Sequence, residues 1–278
     1  MKKSFRITLI VGLVLSILGL VLLGFGLSSD GLEKLQSYNE AAQKKEIQLD
    51  NVQVLDFDFN FKDIKIKTSA DKHFKLTYCE KPKENISYRF TKGRLSLKQN
   101  RPSNIFTIEF FKLSDLSDWL HRNDSRTVTL TVPENLLLKK VAISNKVGNI
   151  SIENQTISDV NLQGSTNDLF IKNSKLAKGR IANNVGNIYL NNSTLTNIEG
   201  KTNTGNIVAE NLTVLGTVSL DNNVGDTEIV LSAKSLKDTV VNAKTDIGDL
   251  NISDNVLRGG ISKNQLSMKA NTGSIKVN

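Results

Sequence analysis

Proline is nearly missing from this chain, with three in 278 residues. A continuous ladder of backbone hydrogen bonds tolerates little proline, so its scarcity fits a sheet-rich fold. Cysteine is scarcer still. The single Cys79 cannot close an internal disulfide, so stability must come from packing. It reads as a small buried hydrophobe, with a reactive thiol as the lesser alternative. The two histidines, His73 and His121, are isolated and lack metal-ligand spacing. No Gly-x-Ser-x-Gly elbow, phosphate-binding glycine loop or Ser/His/Asp set stands out. The chain is therefore expected to be no enzyme, with no cofactor and no metal. Aromatics make up only 6% of residues, and small aliphatic and β-branched residues dominate, which suits narrow coils. The formal charge of +8 includes Lys2, Lys3 and Arg6. No dense basic block with interleaved aromatics occurs, which argues against nucleic acid and leaves attraction to an anionic envelope surface open.

What the chain does have is repetition. Asn183-Asn184-Val185-Gly186-Asn187-Ile188-Tyr189-Leu190 has relatives on both sides. With the turn residue as marker, the copies fall at Gly148, Asn167, Gly186, Gly205, Gly225, Gly248 and Gly273, in steps of 19, 19, 19, 20, 23 and 25 residues. A near-fixed period of this size predicts stacked coils: an all-β, parallel β-solenoid. After each turn comes an apolar residue (Ile150, Leu169, Ile188, Ile207, Leu250, Ile275), and two positions later another (Ile152, Ile171, Leu190, Ala209, Ile252, Val277). That is the period of a half-buried strand. A second apolar set at Val160, Leu162, Ile198, Val218 and Leu220 predicts two short strands and two turns per coil. Glycine suits a turn that needs positive φ, and Asn167 is expected to be tolerated there for the same reason. Asparagines before the turn (Asn184, Asn203, Asn223, Asn271) and at the strand end (Asn154, Asn173, Asn192, Asn211) predict side-chain ladders; a sugar-binding polar face is the functional alternative. Asp168, Asp226 and Asp249 read as turn residues.

The remainder reads as a mount and a cap. Residues 1–6 are expected in the cytoplasm. Residues 7–27 carry no charge and are long enough for one transmembrane helix, with the rest of the chain outside the cell membrane. Residues 28–50 read as a juxtamembrane helical stalk, capped near Asp30 and Glu33 and helical to about Lys45. Residues 51–140 form an N-terminal β region with a capping insert, and 141–278 the solenoid repeats. Asp63-Ile64-Lys65-Ile66 resembles the strand after the turn, with Lys62 where the glycine would stand, and so reads as a degenerate first coil. The irregular stretch from Ile105 to Leu120 holds Phe110, Phe111 and Trp119. It is expected to be a lid on the solenoid, or a hydrophobic contact site for the membrane or a partner. Because the sequence stops at Asn278 just after a strand, the C-terminal coil is expected to be an uncovered edge that meets an envelope protein or a second copy.

One apolar N-terminal span, the strand Thr127-Val128-Thr129-Leu130-Thr131-Val132-Pro133 and the repeated Asn-x-Gly-(Asn/Asp)-Ile turns resemble the LiaG-like putative adhesin family of Gram-positive, membrane-anchored envelope proteins. The resemblance covers roughly residues 50–278 and implies an extracytoplasmic β-solenoid, with some relatives tied to envelope-stress responses. It carries over no catalytic residues. The reading expected from it is a binding protein in envelope-stress sensing or modulation, with a surface adhesin or wall-glycan-binding module as the alternative and a glycan-active enzyme a distant third.

Overall fold

The computed structural model describes residues 42–80, 84–100 and 126–278. The expected span at 7–27, most of the stalk and the Phe110–Trp119 stretch lie outside the described residues; among the described residues no helix is long and apolar enough to cross a membrane.

The described chain opens with β1 (Gln43–Leu49), β2 (Val54–Phe61), β3 (Asp63–Ser69), β4 (Phe74–Glu80), β5 (Ile86–Thr91) and β6 (Arg94–Gln99). It resumes with β7 (Thr127–Pro133) and β8 (Leu137–Leu138). Three coils of one plan follow: β9 (Lys140–Val147), β10 (Ile150–Glu153) and β11 (Thr156–Ile157); β12 (Val160–Thr166), β13 (Leu169–Lys172) and β14 (Lys175–Leu176); β15 (Gly179–Val185), β16 (Ile188–Asn191) and β17 (Thr194–Thr196). Then come β18 (Ile198–Thr204), the long β19 (Ile207–Leu215), β20 (Thr217–Val224) and β21 (Thr227–Leu231). The chain finishes with α1 (Ser235–Asp238), β22 (Thr239–Ile247), β23 (Leu250–Ile252), β24 (Asn264–Thr272) and β25 (Ile275–Val277).

Each regular coil has three strands, not two. Ile157, Leu176, Leu195 and Val214 are all fully buried on a third face whose strands run only two or three residues before merging into β19. One inward residue per pass leaves no alternation to read in the sequence. The registers are regular: Ile150, Leu169, Ile188 and Ile207 pair in succession, and Val160, Gly179 and Ile198 do the same on the first face. Their apolar side chains fill one continuous core. Burying a side chain of this size is worth roughly 1.5–3 kcal/mol, and each coil needs its neighbours to do it.

The stack begins earlier than the repeats suggest. β3 pairs in parallel with β10, placing Ile64 beside Ile150, so Asp63–Ile66 is indeed a first coil. β2 pairs with β9, so the first-face sheet continues across residue 140. β6 and β7 add a further layer, and the antiparallel strands β5 and β4 close this end. Lys92 and Gly93, both at positive φ, make the β5–β6 turn. Lys62 is buried, with its ammonium 2.9 Å from Glu84 and 3.0 Å from the Cys79 carbonyl. The expected stalk helix does not reach Lys45. Residues 43–49 are β1, held against β4 by Lys45–Glu80 and Lys75–Glu46 ion pairs, with Leu49 buried.

At the other end the order inverts. The ten-stranded face runs β22–β24–β20–β18–β15–β12–β9–β2–β6–β5, and on the second face β25 lies between β21 and β23. The C-terminal coil therefore sits inside the stack. The expectation that it forms an open edge is wrong; the last layer is β22–β23, the coil of Gly248. The longer steps of 23 and 25 residues have a physical cause: the chain skips a layer, adds α1 and the Ser253–Lys263 loop, and returns to fill the gap. Leu250 and Ile252, expected in the core, are exposed and half-buried because their coil is the outermost.

Candidate binding surfaces

The polar rows that the repeat creates divide into structural and available ones. The turn glycines at 148, 186, 205, 225, 248 and 273 all have positive φ. A Cβ on Gly205 would strike the Gly186 carbonyl oxygen of the coil beneath, so close stacking as well as φ demands glycine. Asn154, Asn173, Asn192 and Asn211 form a second positive-φ corner, at φ between 49 and 56°. Two of their predicted rungs are present, Asn173 to Asn154 at 3.1 Å and Asn211 to Asn192 at 3.0 Å. In the row before the turn, Asn203 donates to Asn184 at 2.8 Å and Asn271 to Asn223 at 2.6 Å.

The residue after the turn makes a third ladder that sequence reasoning missed. The Oδ1 of Asp63, Asn149, Asp168, Asn187, Asn206 and Asp226 each accepts the backbone N–H of its counterpart one layer on, at 2.7–3.1 Å. Asn and Asp share that acceptor, which explains why both occur there and why Asp168 and Asp226 are not a charge cluster.

Asn167 behaves differently from its expectation. It does not adopt positive φ. In the other coils, except that of Gly273 where Ala270 stands, the residue three before the turn donates to a turn carbonyl of the adjacent layer: among them Asn145 to Lys62 at 2.7 Å, Thr202 to Gly186 at 3.1 Å, Asn222 to Gly205 at 2.9 Å and Thr245 to Gly273 at 2.8 Å. In this coil that place is Gly164, and Asn167 supplies the missing amide by donating to the Gly148 carbonyl. Glycine and asparagine have exchanged positions within one coil.

With those groups assigned to the scaffold, two outer surfaces are left. On the first face, Ser144, Gly164, Ser165 and Ala182 are small and form the floor of a cavity of about 390 Å³ crossing β9, β12, β15 and β18. Arg180 and Lys201 flank it with Gln163, Asn184 and Asn203, and no carboxylate lines it. Glu199 engages Arg180 from one side at 3.6 Å, with both side chains about half exposed. The groove offers cationic and amide donors across several layers, the chemistry that holds a hydroxyl-rich or anionic chain lying along the stack. On the second face, Phe170 and Tyr189 stack at 4.9 Å between ring centroids with 6° between their planes, and the Tyr189 hydroxyl accepts from Asn187 at 3.1 Å. Nearby Glu153 is tied to Lys65 at 3.3 Å. The signal for this pair was two aromatics at one register position, 19 residues apart. Trp119, Phe110 and Phe111, expected as contact residues, lie outside the described residues. Among the described residues no cluster of three or more metal-binding side chains occurs.

The fold is similar to that of a putative adhesin from Bacteroides fragilis, with a TM-score of 0.53, 18% identity, and coverage of 85% of this chain and 97% of that one. A putative adhesin from Parabacteroides merdae aligns at TM-score 0.41 and 12% identity over 86% and 98% of the two chains. A putative cell adhesion protein from Clostridium sporogenes aligns at 0.35 and 12% over 85% and 97%. A comparison with curated protein sequences returns no match. Residues 52–278 match the Toastrack DUF4097 family, and the chain belongs to it.

Proposed function

We propose that the protein is a surface binding module of the adhesin type, and that its ligand is a hydroxyl-rich chain carrying anionic groups, such as a wall glycan. The observation that carries this is the first-face groove: a floor of Ser144, Gly164, Ser165 and Ala182, with Arg180 and Lys201 as the only charged lining groups. The name of the Bacteroides fragilis protein supports adhesion over the envelope-stress role as the primary reading. Anchoring through residues 7–27, with the coils outside the cell membrane and the short N-terminus inside, belongs to the same proposal, as does a LiaG-like, Gram-positive setting. Its support is the uncharged 21-residue run flanked by Lys2, Lys3 and Arg6.

The test is a pull-down of purified wall polysaccharide fractions by the full chain in detergent, beside the Arg180→Ser/Lys201→Ser variant. Retention of an anionic fraction that falls at least tenfold in the variant supports the reading. Equal retention by both, or none by either, discards it. Crosslinking in intact cells with and without a membrane-active antimicrobial separates the alternative: a captured membrane protein whose yield follows the drug would favour stress sensing.

A further inference from the structure

The outermost layer of the stack is left with bare edges. β22 pairs only with β24, and β23 only with β25. Among the described residues, the start of β22 is covered: the Thr239 N–H donates to the Ser235 carbonyl, the Val241 N–H to the Leu257 carbonyl at 2.9 Å, and Thr239, Val240 and Val241 are buried, which leaves Asn242–Ile247 as the open part of the edge. The strand carries no proline and no bulge beyond the corner skip that every coil shares. Ile247 and Leu250 at its corner are 68% and 47% exposed. An unpaired stretch of strand next to exposed apolar residues is what proteins ordinarily avoid.

We propose that this edge pairs with the same edge of a second copy, antiparallel, about a two-fold axis through Thr245. The charges on the strand are self-complementary under that operation. Lys244 and Asp246 sit two residues apart on the outer face and contact each other at 3.1 Å within one chain. With Thr245 opposite itself, Lys244 faces Asp246 of the second copy, and Asp246 faces its Lys244. Backbone direction agrees. The Val241 N–H points outward, so alternation along the strand turns Ala243 and Thr245 outward too. Thr245 then exchanges hydrogen bonds with its own mate. The Lys244–Asp246 pairs fall at non-hydrogen-bonded positions, where cross-strand side chains approach closest. A head-to-tail contact with the opposite end of the stack is the rival arrangement and would build open filaments. That end presents β1, whose Lys44, Lys45 and Glu46 are committed to ion pairs with Glu46, Glu80 and Lys75.

The experiment is sedimentation of the full chain in detergent over a concentration series, for the unmodified protein, Asp246→Lys and the swap Lys244→Asp/Asp246→Lys. The proposal expects a concentration-dependent dimer, weakened about tenfold by Asp246→Lys, which sets lysine against lysine twice, and regained in the swap. Both positions are on the surface, and an unchanged melting temperature checks that folding is intact. A chain that stays monomeric overturns the proposal. So does a dimer indifferent to Asp246→Lys, which would assign association to another part of the chain, and so does capture of higher, filament-like species.

Discussion

The two ends of the stack are closed by different means. At the N-terminal end the strands turn antiparallel, the outermost strand β1 is studded with lysine and glutamate, and the buried cation Lys62 is matched by Glu84. At the C-terminal end the chain overshoots by one layer and returns, so its last strands are enclosed and an earlier pair is left outermost. The first end spends charge to blunt an edge. The second end protects the chain terminus and leaves a different edge open. In a stack stabilised by nearest-neighbour contacts, the outermost coil has one neighbour instead of two, so equal side chains should matter unequally along the axis.

The largest contrast expected is between core positions inside and outside that stack. Ile207→Ala, in an interior coil, removes a fully buried side chain and is expected to cost about 3–4 kcal/mol by chemical denaturation. Leu250→Ser, at the same position on the open layer and 47% exposed, is expected to stay within about 1 kcal/mol. Comparable costs would mean the outermost layer is covered by something else. At the closed end, Glu84→Ala leaves the buried Lys62 ammonium without its carboxylate and is expected to cost about 3 kcal/mol. Recovery with Lys62→Met added would show that the charge, not the space, is responsible.

A smaller effect tests the exchanged coil. A Cβ on Gly164 would lie 2.5 Å from Asn183 Oδ1 and 2.6 Å from Asn167 Oδ1. Gly164→Asn alone is therefore expected to lose about 2 kcal/mol, and Asn167→Gly alone about 1 kcal/mol for the orphaned Gly148 carbonyl. Together they restore the pattern of the neighbouring coils, so the double variant should recover at least about 1 kcal/mol relative to the sum. Strict additivity in denaturation would refute the exchange.

The smallest effect is on pH. The Glu46 carboxyl is held below its usual value by hydrogen bonds from Lys44 and Lys75. Burial pushes Glu80 up, but the Lys45 hydrogen bond, the Ile86 N–H and the charges of Lys45 and Lys62 together bring it below. Lys45 is raised by its bond to Glu80. The carboxylate contribution is present above about pH 4.5 and lost as pH falls through the lowered values. The lysine contribution is present below about pH 10.5 and lost as pH rises through the raised one. β1 amide resonances should shift toward disordered positions in acid before those of β13 do; simultaneous shifts would contradict this.

These expectations also mark what the sequence could show. The turn marker and the i, i+2 apolar pairs located seven coils because the glycines are enforced locally by φ and the pairs by burial. The degenerate coil at Lys62 was visible through Ile64 and Ile66 alone. The third face was hidden because Ile157, Leu176, Leu195 and Val214 occur singly. The first-face groove was hidden too, since its floor depends on small residues in four separate coils coming into register. The order of the last coils was not encoded in any motif. Its trace was the lengthening of the final two steps, which reads as an irregular shape until the pairing is known.

That order is the central claim, and paired cysteines test it most directly. In a Cys79→Ser background, Asp221→Cys with Lys269→Cys places two thiols on register partners of adjacent strands, and Lys244→Cys with Lys269→Cys does the same one layer on. Asp221→Cys with Lys244→Cys spans two layers, about 9.6 Å, too far for a disulfide. The account predicts rapid oxidation of the first two pairs and none of the third. Ready closure of the third pair with failure of the first would mean that the coils stack in sequence order and that the C-terminus is the open edge after all.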